Sequence, residues 1–420
     1  MPDFSSATPG AIACCASPAE RRRARDVTTP PYDDLRRRLV RQLRDRGAVR
    51  TERVGAAFAH VPRHVFVPDV PPEDVYADRS IAIKLQDGIP ISSSSQPAIM
   101  AEMIEMLALR GGEHVLEIGA GTGYNAAVLA ELVGASGSVV TVDLDDELVA
   151  SARRHLDEAG YAQVRTRCAD GVLGDAGAAP FDRIIATVGV EALPAAWLAQ
   201  LREGGRLVAP LTIRGQQKVI AFARTARGLE SDAIVDAGFI MLRGDAAHAE
   251  TVALALDQPG TTLRVHTAYA STVDVHALTR ALCAKSRDTT PVRRISINDV
   301  WGGLALWLGL NDAGFCWLTA QGPSAGETAV PNLAVANGTP HGSASTIGIA
   351  GDGELAVFAP RGMNDVVVRR FGDDRGAVAR VQRAIAGWDD AARPGNGALH
   401  VTVDVAGTTH VAFGTRRDPA

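Results

Sequence analysis

The chain has 420 residues, of which 46% are hydrophobic and 22% charged, with a formal net charge of −5 at neutral pH. At ~150 residues per domain this implies two or three folded domains and excludes wholesale disorder. The acidic balance and an aromatic share of 5% exclude a protein built to coat nucleic acid, and no apolar run reaches the ~18 residues of a membrane-spanning helix.

Residues 1–31 are rich in Ser, Ala, Pro and Arg without an apolar period, and a disordered tail is expected there. Its arginines follow the apolar AIACCA instead of preceding it, so no secretory leader is expected. The five cysteines, Cys14, Cys15, Cys168, Cys283 and Cys316, form no C-x-x-C pair. Reduced thiols and a cytoplasmic location follow as the expectation. Leu35, Leu39 and Leu43 predict an amphipathic helix that stops at Gly47, and a second helix is expected over 51–59. From residue 97 to 230 helices and strands alternate. Strands are expected over 114–119, 138–143, 163–168, 182–187 and 205–211, with helices over 97–107, 124–132, 146–159 and 194–201. Asp145 is the expected cap of the third of these helices and Gly160 its stop. Such alternation predicts right-handed β-α-β units and a parallel sheet covered on both faces. Beyond about 235 the alternation fades, with strands expected at 315–320, 354–359 and 399–405 and helices at 274–285 and 376–388. The expected division is a tail (1–31), an α/β Rossmann-like domain (32–232) and a C-terminal α+β domain (233–420).

The chemistry concentrates in VLEIGAGTGYNAAVL, residues 115–129. Glu117 ends the first strand, and Gly119, Gly121 and Gly123 follow at alternate positions before a helix. Glycines there permit tight turning and close approach of a ligand to the main chain. The E-x-G-x-G-x-G spacing differs from the G-x-G-x-x-G that seats a pyrophosphate, and so favours a ligand without phosphates. Asp143 closes the next strand, where a carboxylate can accept ribose hydroxyls, and Asp170 closes the third, suited to an adenine amino group. This constellation resembles the S-adenosyl-L-methionine site of class I methyltransferases, with Glu117, Gly119, Ala120, Gly121, Gly123, Asp143, Leu144, Asp170 and Gly171 as the implied cofactor residues and S-adenosylhomocysteine as the product.

Upstream lies GIPISSSSQPAIMAEMIEML, residues 88–107. Ser94 or Ser95 could simply cap the helix opening at Pro97. The order of serine loop, Q-P, LEIGAGTGYNAAVLA, ADG and FDRIIATVGVEALPAAWLAQLREGGRLVAPL, together with VPRHVFVP at 61–68, resembles the protein-L-isoaspartate O-methyltransferase family over residues 35–225. In that family a T-I-S-x-P loop orients the acceptor carboxylate. The match lays Ser93, Ser94 and Ser95 on T-I-S as the implied catalytic stretch, with Ser92, Gln96, Thr187 and Val188 beside the substrate. The family's preceding G-x-G-Q is replaced by Gly88-Ile89-Pro90-Ile91-Ser92, and some 190 residues are added at the C-terminus.

Those departures resemble a branch that methylates an L-aspartate in ribosomally made, modified peptides (lanthipeptides, graspetides, lasso peptides), the ester then collapsing to an aspartimide and on to isoaspartate. That is the expected function, with a ribosomal precursor peptide as partner and no nucleic acid, membrane or metal. The alternatives are isoaspartyl repair and a non-catalytic scaffold that binds S-adenosyl-L-methionine. Thr187-Val188 stands where amino-group methyltransferases carry [DN]-P-P-Y, which argues against a base methyltransferase. His60 and His64 lack a glutamate partner for zinc. Trp301, Trp307 and Trp317 are expected in the C-terminal core, where one could line a peptide groove, and the C-terminal domain is expected to help grip the peptide.

Overall fold

The computed structural model describes residues 32–86, 88–243, 251–257, 260–321, 330–333 and 343–414. The expected N-terminal tail, with Cys14 and Cys15, lies outside the described residues. Helix α1 (Tyr32–Asp45) buries Leu35, Leu39, Val40 and Leu43 on one face, as their spacing requires. Helix α2 (Glu52–His60) is capped by Thr51, whose side chain accepts from the Val54 N–H. After the short α3 (Arg63–Phe66), strands β1 (Ile81–Gln86) and β2 (Ile89–Ser94) form an antiparallel hairpin. Helix α4 (Pro97–Leu107) leads into β3 (His114–Ile118), α5 (Tyr124–Val133), β4 (Ser138–Asp143), α6 (Asp146–Glu158), β5 (Arg165–Cys168), β6 (Phe181–Ala186), α7 (Ala195–Gln200), β7 (Leu201–Ile213), β8 (Gln216–Thr225) and β9 (Gly228–Asp236). Asp145 caps α6 by accepting from the Leu148 N–H.

The following region holds β10 (Thr251–Ala255), β11 (Thr261–His266), α8 (Val275–Cys283), β12 (Arg287–Thr289), α9 (Ala305–Asn311), β13 (Phe315–Gln321), β14 (Ser343–Ala350), β15 (Leu355–Arg361), β16 (Asp365–Phe371) and α10 (Ala377–Asp390). Its strands build a sheet in the order β10-β11-β13-β14-β15-β16-β12, antiparallel throughout. The chain then returns. Strands β17 (Leu399–Asp404) and β18 (Thr409–Phe413) join the first sheet, whose order is β18-β17-β9-β8-β7-β6-β3-β4-β5.

The five strands expected between residues 114 and 211 are parallel, as expected, and four further strands extend them into a mixed nine-stranded sheet. Strands β5, β4, β3, β6 and β7 are parallel, whereas β8, β9, β17 and β18 run antiparallel. The cause is local: β7 and β8 are joined through Arg214 and Gly215, both at positive φ (+50° and +78°), a two-residue turn that can connect only antiparallel strands. Alternate residues of the parallel strands face opposite layers. Val115, Val139, Ile185 and Val208 pack with α1, α2, α4 and α5, whereas Leu116, Val140, Ile184 and Leu207 pack with Trp197 of α7. Both faces are therefore buried, and the open carboxyl edge of the parallel strands is left to carry chemistry. Trp301, Trp307 and Trp317 are all half-buried against the core of the C-terminal sheet. Trp307 also meets Phe413 of β18, with ring centres 5.8 Å apart, so α9 touches both sheets.

Candidate active site

Strand β3 delivers its end to the sheet's carboxyl edge, and Gly119, Gly121 and Gly123 then turn the chain with φ of +98°, +49° and +88°. At Gly119 a Cβ would stand 2.6 Å from the Thr187 Oγ1, so a side chain there is excluded twice over. The Thr187 hydroxyl donates to the Gly119 carbonyl at 2.8 Å. From the neighbouring strand end, one Asp143 oxygen accepts the Gly121 N–H at 3.0 Å and the other the Asp145 N–H at 3.2 Å. Asp143 thus braces the turn while each oxygen keeps lone pairs for a ligand.

A cleft of about 680 Å³ opens over this edge. Gly119, Gly121, Asp143, Leu144 and Gly171 line it, and so do Ser92, Ser93, Ser95 and Gln96, with Thr187 and Val188 beside them. The two halves touch, since the Ser93 carbonyl lies 3.7 Å from where a Gly121 Cβ would stand. The serine segment is not a loop, as its composition suggests: Ser92, Ser93 and Ser94 belong to β2, because β1 pairs with them through Lys84, Ala82 and Ile81. Nor does a serine cap α4. The Ala98 N–H is taken by Asp78 at 2.9 Å, and Gln96 spends its amide nitrogen on the same residue. Among the described residues the hydroxyls of Ser92, Ser93 and Ser95 make no hydrogen bond. The hairpin is anchored by Lys84, which donates to Asp145 and Glu147 at 2.7 Å each and holds the Asp145 carboxyl below its ordinary range.

Other predicted residues stand outside the cleft's lining. Ser94 turns inward, accepting at 3.3 Å from the guanidinium of Arg63, which also donates to the Ser95 carbonyl at 3.0 Å. Arg63 is wholly buried, and its Nε and Nη1 have no hydrogen-bond partner among the described residues. Glu117 is wholly buried behind the turn, accepting from Asn125 at 2.7 Å and from Thr141 at 2.6 Å. Desolvation, only partly offset by those two bonds, pushes its carboxyl up to about 7. Ala120 packs in the turn with its N–H on Val142, and Gly123 opens α5 where a Cβ would press on Ala152 of α6. Asp170 uses one oxygen to cap the short turn Gly171–Leu173, and its other oxygen has no hydrogen bond among the described residues.

One wall is not signalled by any motif. Ala237 to Arg243 line the cleft in extended form, held by Gly189 through Ile240 and Leu242 and by both amide atoms of Gln217 through Phe239. The available signal was the apolar run Phe239-Ile240-Met241-Leu242 directly after β9. His64 is hydrogen-bonded to the Tyr76 hydroxyl at 2.8 Å. No group of three potential metal ligands occurs among the described residues, and no helix there is long and apolar enough to cross a membrane.

The donor set suits S-adenosyl-L-methionine. Bare glycine backbone and a carboxylate at adjacent strand ends match a ribose and an amino acid moiety, and the exposed Leu144 offers an apolar surface for a purine. Comparison with known proteins agrees. Residues 34–246 match the family model "Protein-L-isoaspartate(D-aspartate) O-methyltransferase (PCMT)". The chain belongs to this family. It is thereby an S-adenosyl-L-methionine-dependent O-methyltransferase by class. It is 42% identical over 215 residues to protein-L-isoaspartate O-methyltransferase 2 of Marinobacter nauticus, covering 50% of this chain and 94% of the relative. It is 38% identical over 239 residues to the protein of the same name from an Anaeromyxobacter species, covering 57% of this chain and 93% of the relative. A solved protein-L-isoaspartate O-methyltransferase shares the fold over 90% of this chain and 99% of its own length, with a TM-score of 0.51 and 24% identity.

Proposed function

We propose that this enzyme esterifies the side-chain carboxylate of isoaspartyl residues in peptides and proteins, as a cytoplasmic repair-type methyltransferase. The observation that carries the reading is the single cleft lined both by the glycine turn and Asp143 and by Ser92, Ser93 and Ser95, whose hydroxyls make no hydrogen bond among the described residues. Gly119, Gly121, Asp143, Leu144 and Gly171 would hold the cofactor, with the free oxygen of Asp170 at its adenine end. Bound there, S-adenosyl-L-methionine supplies an electrophilic methyl whose sulfur leaves with the bonding pair as S-adenosylhomocysteine.

The protein's own share is positioning. An aspartyl-type carboxylate, with an unperturbed pKa of ~4, is already an ionised nucleophile at neutral pH, so no general base is required. Ser95 donates to one carboxylate oxygen and leaves the other free to attack, with Ser93 and Ser92 alongside. A hydroxyl orients without neutralising the charge, as a bidentate arginine would. The hairpin on one side and Ala237–Arg243 on the other wall the cleft and limit the water that reaches the reacting oxygen.

A second reading is methylation of an ordinary L-aspartate in a ribosomally made, modified peptide, ending in aspartimide. One observation favours it: the stretch that departs from the family's G-x-G-Q includes Pro90, Ile91 and Ser92, which line the cleft. The long C-terminal region does not favour it, because a solved isoaspartyl methyltransferase has the same fold over nearly its whole length. Matched peptides differing only in isoaspartate or L-aspartate decide between the two. The first reading requires methyl transfer to the isoaspartyl peptide alone. Methylation of the L-aspartyl peptide, followed by net loss of water, would establish the second.

A further inference from the structure

A second cleft, of about 290 Å³, lies where the β7–β8 turn meets the C-terminal sheet. Its geometry is fixed by three contacts. The Trp317 indole N–H donates to the Arg214 carbonyl at 3.1 Å. The indole also covers Gly215, where a Cβ would come within 2.4 Å of its Nε1. The Arg214 β- and γ-carbons lie against Gly309, 2.9 and 3.2 Å from where a Cβ there would stand. Arg214 is held at φ +50°, a conformation that non-glycine residues adopt infrequently. The clamp sets its side chain along the cleft beside Arg264 and His266.

Among the described residues, positive charge predominates in the cleft's lining. Arg214 and Arg264 make no ion pair among the described residues, and the only hydrogen bond of the Arg264 guanidinium is to the Thr251 hydroxyl at 3.3 Å. The carboxylate that lines the cleft, Asp312, is already held by Arg380 and by the Gly314 N–H. Glu191 approaches from outside the lining and accepts the Thr251 N–H at 3.4 Å. His266 Nδ1 accepts from the Ala268 N–H, which leaves Nε2–H as a donor in the neutral ring. Burial and the Arg214 charge hold His266 below the ordinary histidine range. Two guanidinium groups and an imidazole N–H line a receptor for a carboxylate.

A strand path leads from the active site to this cleft. Val190, two residues beyond the lining residue Val188, bonds to Pro210 and Thr212 of β7, and the wall at Phe239 is held by Gln217, opposite Thr212. Arg214 stands three residues beyond Leu211 on that strand path, about 10 Å at the rise of a strand. Building on the peptide-methylating function proposed above, the geometry points to Arg214, Arg264 and His266 as a distal subsite for a second carboxylate of the substrate, about three to six residues from the methylated one in an extended peptide. The carboxylate belongs to an acidic side chain or to the peptide's own C-terminus.

Two peptide arms separate those sources. One compares Glu with Gln at each of these positions in an amidated isoaspartyl peptide. The other compares free and amidated C-termini in a Gln peptide. In the native enzyme the carboxylate form lowers KM about tenfold with kcat unchanged. In Arg214→Asn/Arg264→Gln that advantage disappears, while the neutral amidated peptide is methylated equally by both enzymes. Asparagine suits the left-handed turn. Equal KM for charged and neutral peptides in the native enzyme, or an advantage that survives the double substitution, overturns the subsite. Methyl transfer to none of the peptides would refute the active-site reading instead. The subsite is then decided by fluorescence anisotropy of a labelled acidic peptide: tenfold weaker binding to the variant supports it, and equal binding overturns it.

Discussion

Glu117 offers the sharpest physical test of how the cofactor turn is built. Its carboxyl is wholly buried and raised from 4.5 to about 7, first by desolvation and, less strongly, by the nearby Asp143 charge. A raised value means that the folded state prefers the protonated form. The stability this lends is fully present below the unfolded value, declines as pH rises, and is gone above the folded one. The displacement from 4.5 to about 7 corresponds to about 3 kcal/mol. Glu117→Gln keeps the shape and remains neutral at every pH. Its carbonyl can still accept from Asn125, and the Thr141 hydroxyl can rotate to accept from the new amide. The assay is denaturant unfolding of both proteins without ligand between pH 5 and pH 8. The native protein should lose up to about 3 kcal/mol relative to Glu117→Gln across that window, steepest between the two carboxyl values. Parallel pH profiles would refute the assignment of an uncompensated buried carboxyl.

Ser95→Ala should lower kcat about tenfold to a hundredfold and leave S-adenosyl-L-methionine affinity unchanged by calorimetry; unchanged turnover removes Ser95 from the mechanism. Gly119→Ala places a Cβ against Thr187 at φ +98°. It should cost about 1–3 kcal/mol in thermal unfolding and weaken cofactor binding. Lys84→Met cuts the hairpin from α6 and should raise the peptide KM severalfold with little loss of global stability. Added salt should bring the native enzyme part of the way toward the variant, because Glu147 is exposed whereas Asp145 is largely shielded. Ser94→Ile restores the apolar residue of the family motif but takes one partner from buried Arg63. It should destabilise by about 1–3 kcal/mol in urea unfolding.

The cofactor half of the site was legible because its constraints are local. Positive φ at Gly119, Gly121 and Gly123, a carboxylate at the end of β4, and the Asp145 cap are each imposed by a few neighbouring residues. The acceptor half was legible by residue type but not by conformation. Four serines in a row read as a loop, yet β1 pairs with them and Asp78, twenty residues upstream of Ala98, caps the helix. What long-range pairing decides stayed hidden. The wall Ala237–Arg243 depends on Gly189 and Gln217, and β17 reaches the first sheet through Thr402 and Glu230. Arg63 was invisible for another reason: composition predicts that an arginine is exposed, and only the three-dimensional packing shows it wholly buried.

That buried arginine bears on why serines can serve a carboxylate substrate at all. Bringing an anion into a partly dehydrated cleft is unfavourable, so some positive potential must offset it. A cation in direct contact would bind both oxygens and blunt the nucleophile. Arg63 stands one layer back, its guanidinium touching the Ser94 hydroxyl and the Ser95 carbonyl while remaining wholly out of solvent. Burial lowers its pKa, and the Asp78 charge opposes that drop. Even so, a guanidinium keeps its proton at neutral pH. Asp78 is itself paired with Arg46, which leaves part of the Arg63 field uncancelled toward the cleft. In the proposed reaction the positive potential is supplied from behind and orientation from in front, by hydroxyls that carry no charge. The acceptor oxygen is then attracted to the cleft without being neutralised in it, which is what a carboxylate nucleophile that needs no general base requires.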